Sequence, residues 1–281
     1  MSGAAATDVR KRLGSWYTPA ELIDVAVAGV LDGFEPDRSR PVEVLDPACG
    51  DGRFLTAVAD RLGASGIATQ LTGCDVDPEA IASIDDPRIR ALGADALTHD
   101  WGAERFDVVV GNPPFLSQMA AGTTRGGSSR HGGGPYADAA AEFLALAVRL
   151  AREDGGRIGL VLPQSILGAR DAEPVRRRVA ELAELTWSWW AARQQHFDAN
   201  VNVCVIGLER PATRGPNPFA WTGVVPERLG VPTLETLETS GTLGDRAHLN
   251  ANFRDEYYAL VPAVGDHAAG PPLVTSGLID P

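Results

Sequence analysis

The sequence has a single lysine, Lys11, among its 25 basic residues. A Gly-Lys-Ser/Thr phosphate loop is therefore absent, which argues against nucleotide hydrolysis. No Gly-x-Ser-x-Gly elbow of a serine hydrolase occurs either. Cysteine is scarce: Cys49, Cys74 and Cys204 are far apart and odd in number. Neither a disulfide framework nor a zinc knuckle is indicated, and a reduced cytoplasm fits. The five histidines are scattered singly, so no metal is expected. No apolar run reaches the roughly 18 residues of a membrane helix, and the first eight residues carry no hydrophobic signal stretch. Basic charge is also short. Residues 1–150 hold 13 basic and 21 acidic side chains and residues 151–281 hold 12 and 16, for a net charge of −12. Such a chain is a poor electrostatic partner for a phosphate backbone.

What is present is enough apolar material, 44% of 281 residues, for a sizeable core. Thr18-Pro19-Ala20-Glu21 reads as a capping box with proline at the first helical position. Leu22, Ile23, Ala26, Val27, Val30 and Leu31 follow at helical spacing. Short apolar runs then alternate with helical stretches. Strands are expected over 42–46, 68–75, near 89, over 106–111 and over 157–162. Helices are expected over 53–62, from 78 and over 137–152. A late strand over 201–208 is placed at one edge. Repeated strand-helix-strand units predict an α/β fold, doubly wound around a mostly parallel sheet, with an N-terminal helix. Residues 117–135 are rich in Gly, Ser, Thr and Arg and read as a mobile surface loop. Residues 211–218 read as a linker. Residues 277–281 carry no cap or polar tail, so the chain is expected to be a piece of a longer protein.

Four strand ends carry chemistry. Asp46-Pro47-Ala48-Cys49-Gly50-Asp51-Gly52 follows the first strand and precedes a helix, where open α/β sheets bind ligands. Its glycines allow close approach to the backbone. Leu55 stands where a dinucleotide fingerprint has a small residue, and Asp51 would repel a pyrophosphate. Asp46 suits a ligand with a positive amine, as in S-adenosylmethionine, which has no phosphate. Gly73-Cys74-Asp75-Val76-Asp77-Pro78 ends the second strand. Asp75 is placed to bind ribose hydroxyls, and Asp77 to cap the next helix. Asp95, in Gly93-Ala94-Asp95-Ala96, falls at the third strand end, where it can accept an adenine amino group.

The fourth and most specific signal is Val109-Val110-Gly111-Asn112-Pro113-Pro114-Phe115. Pro113 and Pro114 remove two backbone donors, leaving nearby carbonyls to accept from a substrate NH2. The Asn112 amide oxygen is a second acceptor, and Phe115 offers a stacking face. Two acceptors on a conjugated amino group localise its lone pair for attack on a sulfonium methyl. Neither a metal nor a strong base is needed, and catalysis is orientation and electrostatics.

In order, Tyr17-Thr18-Pro19, the Asp46–Gly52 loop, Gly73 to Pro78, Asp95 and Asn112 to Phe115 resemble the adenine-N6 DNA methyltransferases of restriction–modification and phage-defence systems. The resemblance covers residues 12–210. It implies a Rossmann-like methyltransferase fold and a catalytic domain over 1–210, with a cofactor-contacting segment over 12–34. Residues 211–281 would be a linker and an incomplete target-recognition part. It implies that Thr18, Asp46, Ala48, Cys49, Gly50, Gly52, Asp75, Val76, Asp95 and Ala96 bind S-adenosylmethionine. Asn112, Pro113, Pro114 and Phe115 would be catalytic. Phe143 either packs on the cofactor adenine or is a plain core aromatic. Phe197 resembles the aromatic that, with Phe115, stacks on the flipped target base. DNA is the implied partner, with a separate specificity or restriction subunit, and no membrane is involved. Two other readings keep the fold: methylation of a protein glutamine amide or an RNA base amino group, and a catalytically silent subunit.

Overall fold

The computed structural model describes residues 18–115, 131–133, 137–190 and 202–211, with Trp221 and Asp245 as isolated positions. The chain divides into two compact units, Met1–Thr233 and Leu234–Pro281, and every element below belongs to the first. In chain order these are α1 (Ala20–Val30), β1 (Val42–Asp46), α2 (Arg53–Gly63), β2 (Thr69–Asp75) and α3 (Pro78–Ala82). There follow β3 (Ile89–Gly93), β4 (Val108–Gly111), α4 (Ala139–Leu150), β5 (Arg157–Pro163), α5 (Glu173–Leu182), β6 (Glu184–Trp190) and β7 (Val203–Glu209).

The seven strands form one sheet in the order β3-β2-β1-β4-β5-β7-β6. The first five pair in parallel, and β7 runs antiparallel to both β5 and β6. The expected mostly parallel, doubly wound sheet is what forms. The late strand is not at an edge, as the sequence pattern suggested. It lies between β5 and β6, and its burial on both faces matches that interior place. The edge is β6, whose side chains stay half-exposed.

β4 and most of β5 read as apolar runs because both faces are covered. Alternate residues go to opposite sides. Val44, Val108 and Val110 face a core closed by α1 and α2, while Leu45 and Val109 face one closed by α4 and α5. Trp221 is buried in the second of these cores. α1 can lie close to the sheet because Gly29 makes room for the Trp187 ring and Gly159 makes room for Val30.

The capping box at α1 does not form. The cap position is Pro19, with no side-chain cap bond, and its carbonyl accepts from Leu22 N and Ile23 N. Thr18 is turned toward Asn112 instead. Asp77 does cap α3, accepting from Glu79 N at 2.9 Å.

The amino-terminal edge of the sheet is held by charge. Arg40 grips Asp107 through two bonds of 2.6 Å, and Arg152 reaches both Asp107 and Glu43. Burial alone would raise the Asp107 carboxyl, but Arg40, the Glu43 N–H and Arg152 outweigh it and hold it below the ordinary range. Arg210, 8% exposed, donates to Val148 O and Ala151 O and so closes the carboxyl end of α4. These ties leave the opposite, carboxyl edge of the strands for ligands.

Candidate functional site

The chain runs outward from β1 to β3 and then returns to place β4 on the other side of β1. This reversal opens a crevice at the strands' carboxyl ends. Asp46 closes β1 there, and Gly111-Asn112 closes β4. Gly111 has φ +150°, and a Cβ at that position would overlap the Asp46 carboxylate. Glycine therefore lets the two strand ends share the crevice. Asp46 is 1% exposed, and its Oδ1 accepts from Ala48 N at 3.0 Å. Burial pushes its carboxyl up to about 8, against the Ala48 bond, with Asp75 and Asp51 adding repulsion.

The Gly-rich turn is built around Asp75. Its Oδ2 accepts from Gly50 N and its Oδ1 from Asp77 N, each at 2.9 Å. Gly50 and Gly52 have φ +54° and +82°, which glycine alone adopts cheaply. Cys49 points away from the crevice: its N–H bonds Cys74 O at 3.0 Å and its thiol lies against Gly73. Burial raises that thiol well above its ordinary value, and Cys74 is raised to about 11, by burial and then by Asp75. Both are inert core thiols.

A narrow cleft opens beyond this turn, walled by Ala48, Asp75, Val76, Ala96, Asn112 and Phe143. Val76 is 54% exposed, the one large apolar side chain so exposed among the described residues. Phe143 is both core and wall: it lies on α4, is 7% exposed and belongs to the core beneath that helix, yet it borders the cleft. Asp95 is exposed at the rim, with Oδ1 accepting from Leu97 N at 3.0 Å.

The Asn112 loop closes the other side. Asn112 Nδ2 donates to Thr18 Oγ1 at 2.9 Å, across 94 residues of chain. Thr18 is 7% exposed, so this bond is shielded. Pro113 is buried; Pro114 lines the cleft; Phe115 packs half-buried against both cores.

The profile of the N-6 DNA methylase family matches residues 3–214. The chain belongs to that family. Among relatives, the type II methyltransferase M.CvrRI of Paramecium bursaria Chlorella virus XZ-6E is 25% identical over 201 residues, 70% of this chain and 48% of the viral protein. The type II methyltransferase M.TthHB8I of Thermus thermophilus is 30% identical over 189 residues, 60% of this chain and 39% of that protein. The chain thus spans less than half the length of these curated relatives. In fold it is similar to the methyltransferase subunit of a type I restriction-modification system from Streptococcus thermophilus. That likeness has a TM-score of 0.58 and 19% identity, over 70% of this chain and 45% of the other.

Of the residues expected at the site, Ala48, Asp75, Val76, Ala96, Asn112, Pro114 and Phe143 border one cleft, and the buried Thr18 and Asp46 join it through Asn112 and Gly111. Cys49, Gly50 and Gly52 shape the turn rather than border the cleft. Tyr17, Phe197 and nearly all of the expected linker over 211–218 lie outside the described residues, as does most of the segment 117–135. Its described part, residues 131–133, is tied to α4. His131 N and Gly133 N donate to the Glu142 carboxylate at 2.7 and 2.9 Å. Gly111 and Glu142 were not legible as site residues. An acid on the buried stripe of an otherwise apolar helix was the available signal.

Proposed function

We propose that the chain transfers a methyl group from S-adenosylmethionine to the N6 amino group of adenine in DNA, in a restriction–modification or phage-defence setting. The observation that carries this is that Asn112, its amide held by Thr18, lines the same cleft as Ala48 of the Gly-rich turn and Asp75. The donor set fits the cofactor. Carboxylates line the place for a cationic ligand and would repel a pyrophosphate. The exposed Val76 and the edge of Phe143 offer apolar walls for an adenine. Asp46 would hold the amino-acid end, Asp75 the ribose and Asp95 the adenine rim.

Bound there, S-adenosylmethionine supplies an electrophilic methyl on its sulfonium. The residues of the chain orient the acceptor. With its Nδ2 engaged by Thr18, the Asn112 side chain presents its oxygen as the acceptor for one amino hydrogen. The Pro113 carbonyl takes the other, which localises the lone pair on N6. Phe115 gives the base a face to stack on. An adenine within a duplex must first be flipped out, and an acidic chain gives little help in gripping DNA. A separate specificity or restriction subunit is the natural source of that grip.

Two predictions arise here. Asp75→Ala is expected to weaken S-adenosylhomocysteine binding about 10- to 100-fold, the scale of charged hydrogen bonds, by calorimetry. Unchanged affinity would remove its ribose role. Asp46 adds a pH dependence. The free carboxyl is protonated below about 8, and a ligand ammonium beside it favours the carboxylate. Binding is therefore expected to release a proton near neutrality and to strengthen with rising pH until about 8. The free fold has the opposite slope. Its raised carboxyl binds a proton that the unfolded chain has lost, so stability falls as pH rises from about 4 to 8. Asp46→Asn should flatten both slopes, and a slope that persists would refute the assignment.

The reading itself is tested by incubating the chain with methyl-labelled S-adenosylmethionine and a mixture of DNA, RNA and protein, then separating the fractions. Label in DNA is expected. Label in protein or RNA would replace the acceptor. No label in any fraction would overturn the claim that this chain performs the transfer unaided.

A further inference from the structure

Glu142 is an acid inside a core. It sits on α4 between Ala141 and Phe143 and is 3% exposed. Ala140 and Ala141, both fully buried, show that the helix packs with small apolar residues at this level. A carboxylate buried among them is costly unless its oxygens are bonded. Both are: Oε2 accepts from His131 N at 2.7 Å and Oε1 from Gly133 N at 2.9 Å. One side chain thus grips the backbone at two points, His131 and Gly133. The contact continues through the ring, for His131 Nε2 lies 3.2 Å from Leu97 O. Leu97 N is in turn held by Asp95 Oδ1 at 3.0 Å. On either side of this run stand Ala96 and Phe143, two walls of the cleft.

We infer that Glu142 is a positioning residue for the adenine end of the cleft, acting through His131 and Gly133 on the Asp95–Leu97 turn. This rests on reading the cleft as the S-adenosylmethionine site. The carboxylate fixes residues 131–133, the His131 ring fixes Leu97, and the turn carrying Asp95 and Ala96 is set at a defined distance from Phe143. An apolar residue at 142 would fill the core and leave that spacing undetermined. The effect is confined to the adenosine part of a ligand, because this run ends on Asp95 and Leu97, whereas Asp46 bonds Ala48 N and Thr18 bonds Asn112.

The test is calorimetry on the full chain with two probes. S-adenosylhomocysteine has both ends of the cofactor, and 5′-methylthioadenosine lacks the amino-acid end. Glu142→Ala is expected to weaken both by the same factor, roughly tenfold, as for the loss of about one charged hydrogen bond. Glu142→Gln keeps one acceptor oxygen and is expected to recover part of the loss. Hydrogen exchange at residues 131–133 should speed up in Glu142→Ala and slow in the wild type when S-adenosylhomocysteine is added. A lowered melting temperature with methylthioadenosine affinity unchanged would show a purely structural role and overturn the inference. If Glu142→Ala does not fold, His131→Ala keeps both backbone bonds and removes only the ring contact. It should weaken both probes about threefold, on the same scale, with melting unchanged; full affinity for both would overturn the inference. A wild-type chain that binds neither probe would instead overturn the cofactor reading beneath it.

Discussion

Replacing Asn112 with alanine is expected to lower methyl transfer by about 10²–10³-fold while S-adenosylhomocysteine still binds within a few-fold of the wild type. That is the scale for removing one group aimed at developing charge. The split follows from where Asn112 stands. It borders the cleft, but its amide is fixed by Thr18 rather than by the Asp75 carboxylate that would hold the ribose. Thr18→Val should give a smaller loss of the same kind, since the amide survives but loses its anchor. Equal losses of binding and transfer in Asn112→Ala would place Asn112 in the cofactor site and remove it from catalysis. Retained turnover would sink the mechanism.

Gly111→Ala is expected to destabilise the fold by about 2–5 kcal/mol and to abolish cofactor binding, read by urea unfolding and calorimetry. Two costs combine: a φ of +150° that a side chain resists, and a methyl pressed into the Asp46 carboxylate. The nearest relief is movement of Asp46, which would carry the Ala48 N–H and the Gly-rich turn with it. Asp46→Ala in the same chain should restore much of the stability and none of the binding. If the single variant folds and binds normally, the two strand ends are not interlocked as described.

The sequence was most informative where burial is complete. β4 and most of β5 are apolar on both faces, so their runs stand out, and the strand order fixes which strand ends meet at the crevice. The loops that follow were legible because their chemistry is unusual: glycines beside acids after β1, and two prolines after an asparagine at β4. Less was visible where a pattern serves two ends. Thr18-Pro19-Ala20-Glu21 has the spacing of a capping box, yet the threonine is drawn to Asn112, a partner 94 residues away that no local rule reveals. β6 carries Trp187, Trp189 and Trp190 at a half-exposed edge, and α5 buries only Val175, Val179 and Ala180, so neither announces itself as an element. Glu142 was hidden for the same reason as Thr18. Its partners are backbone groups of a Gly-rich stretch, and backbone groups leave no trace in the sequence.

The central claim is the identity of the methylated atom. DNA labelled by the wild-type chain can be digested to nucleosides and separated by mass, with Asn112→Ala as control. Label is expected in N6-methyldeoxyadenosine, with about 10²–10³-fold less in the control. Label in a methylated cytosine, or equal label from the control, would contradict it.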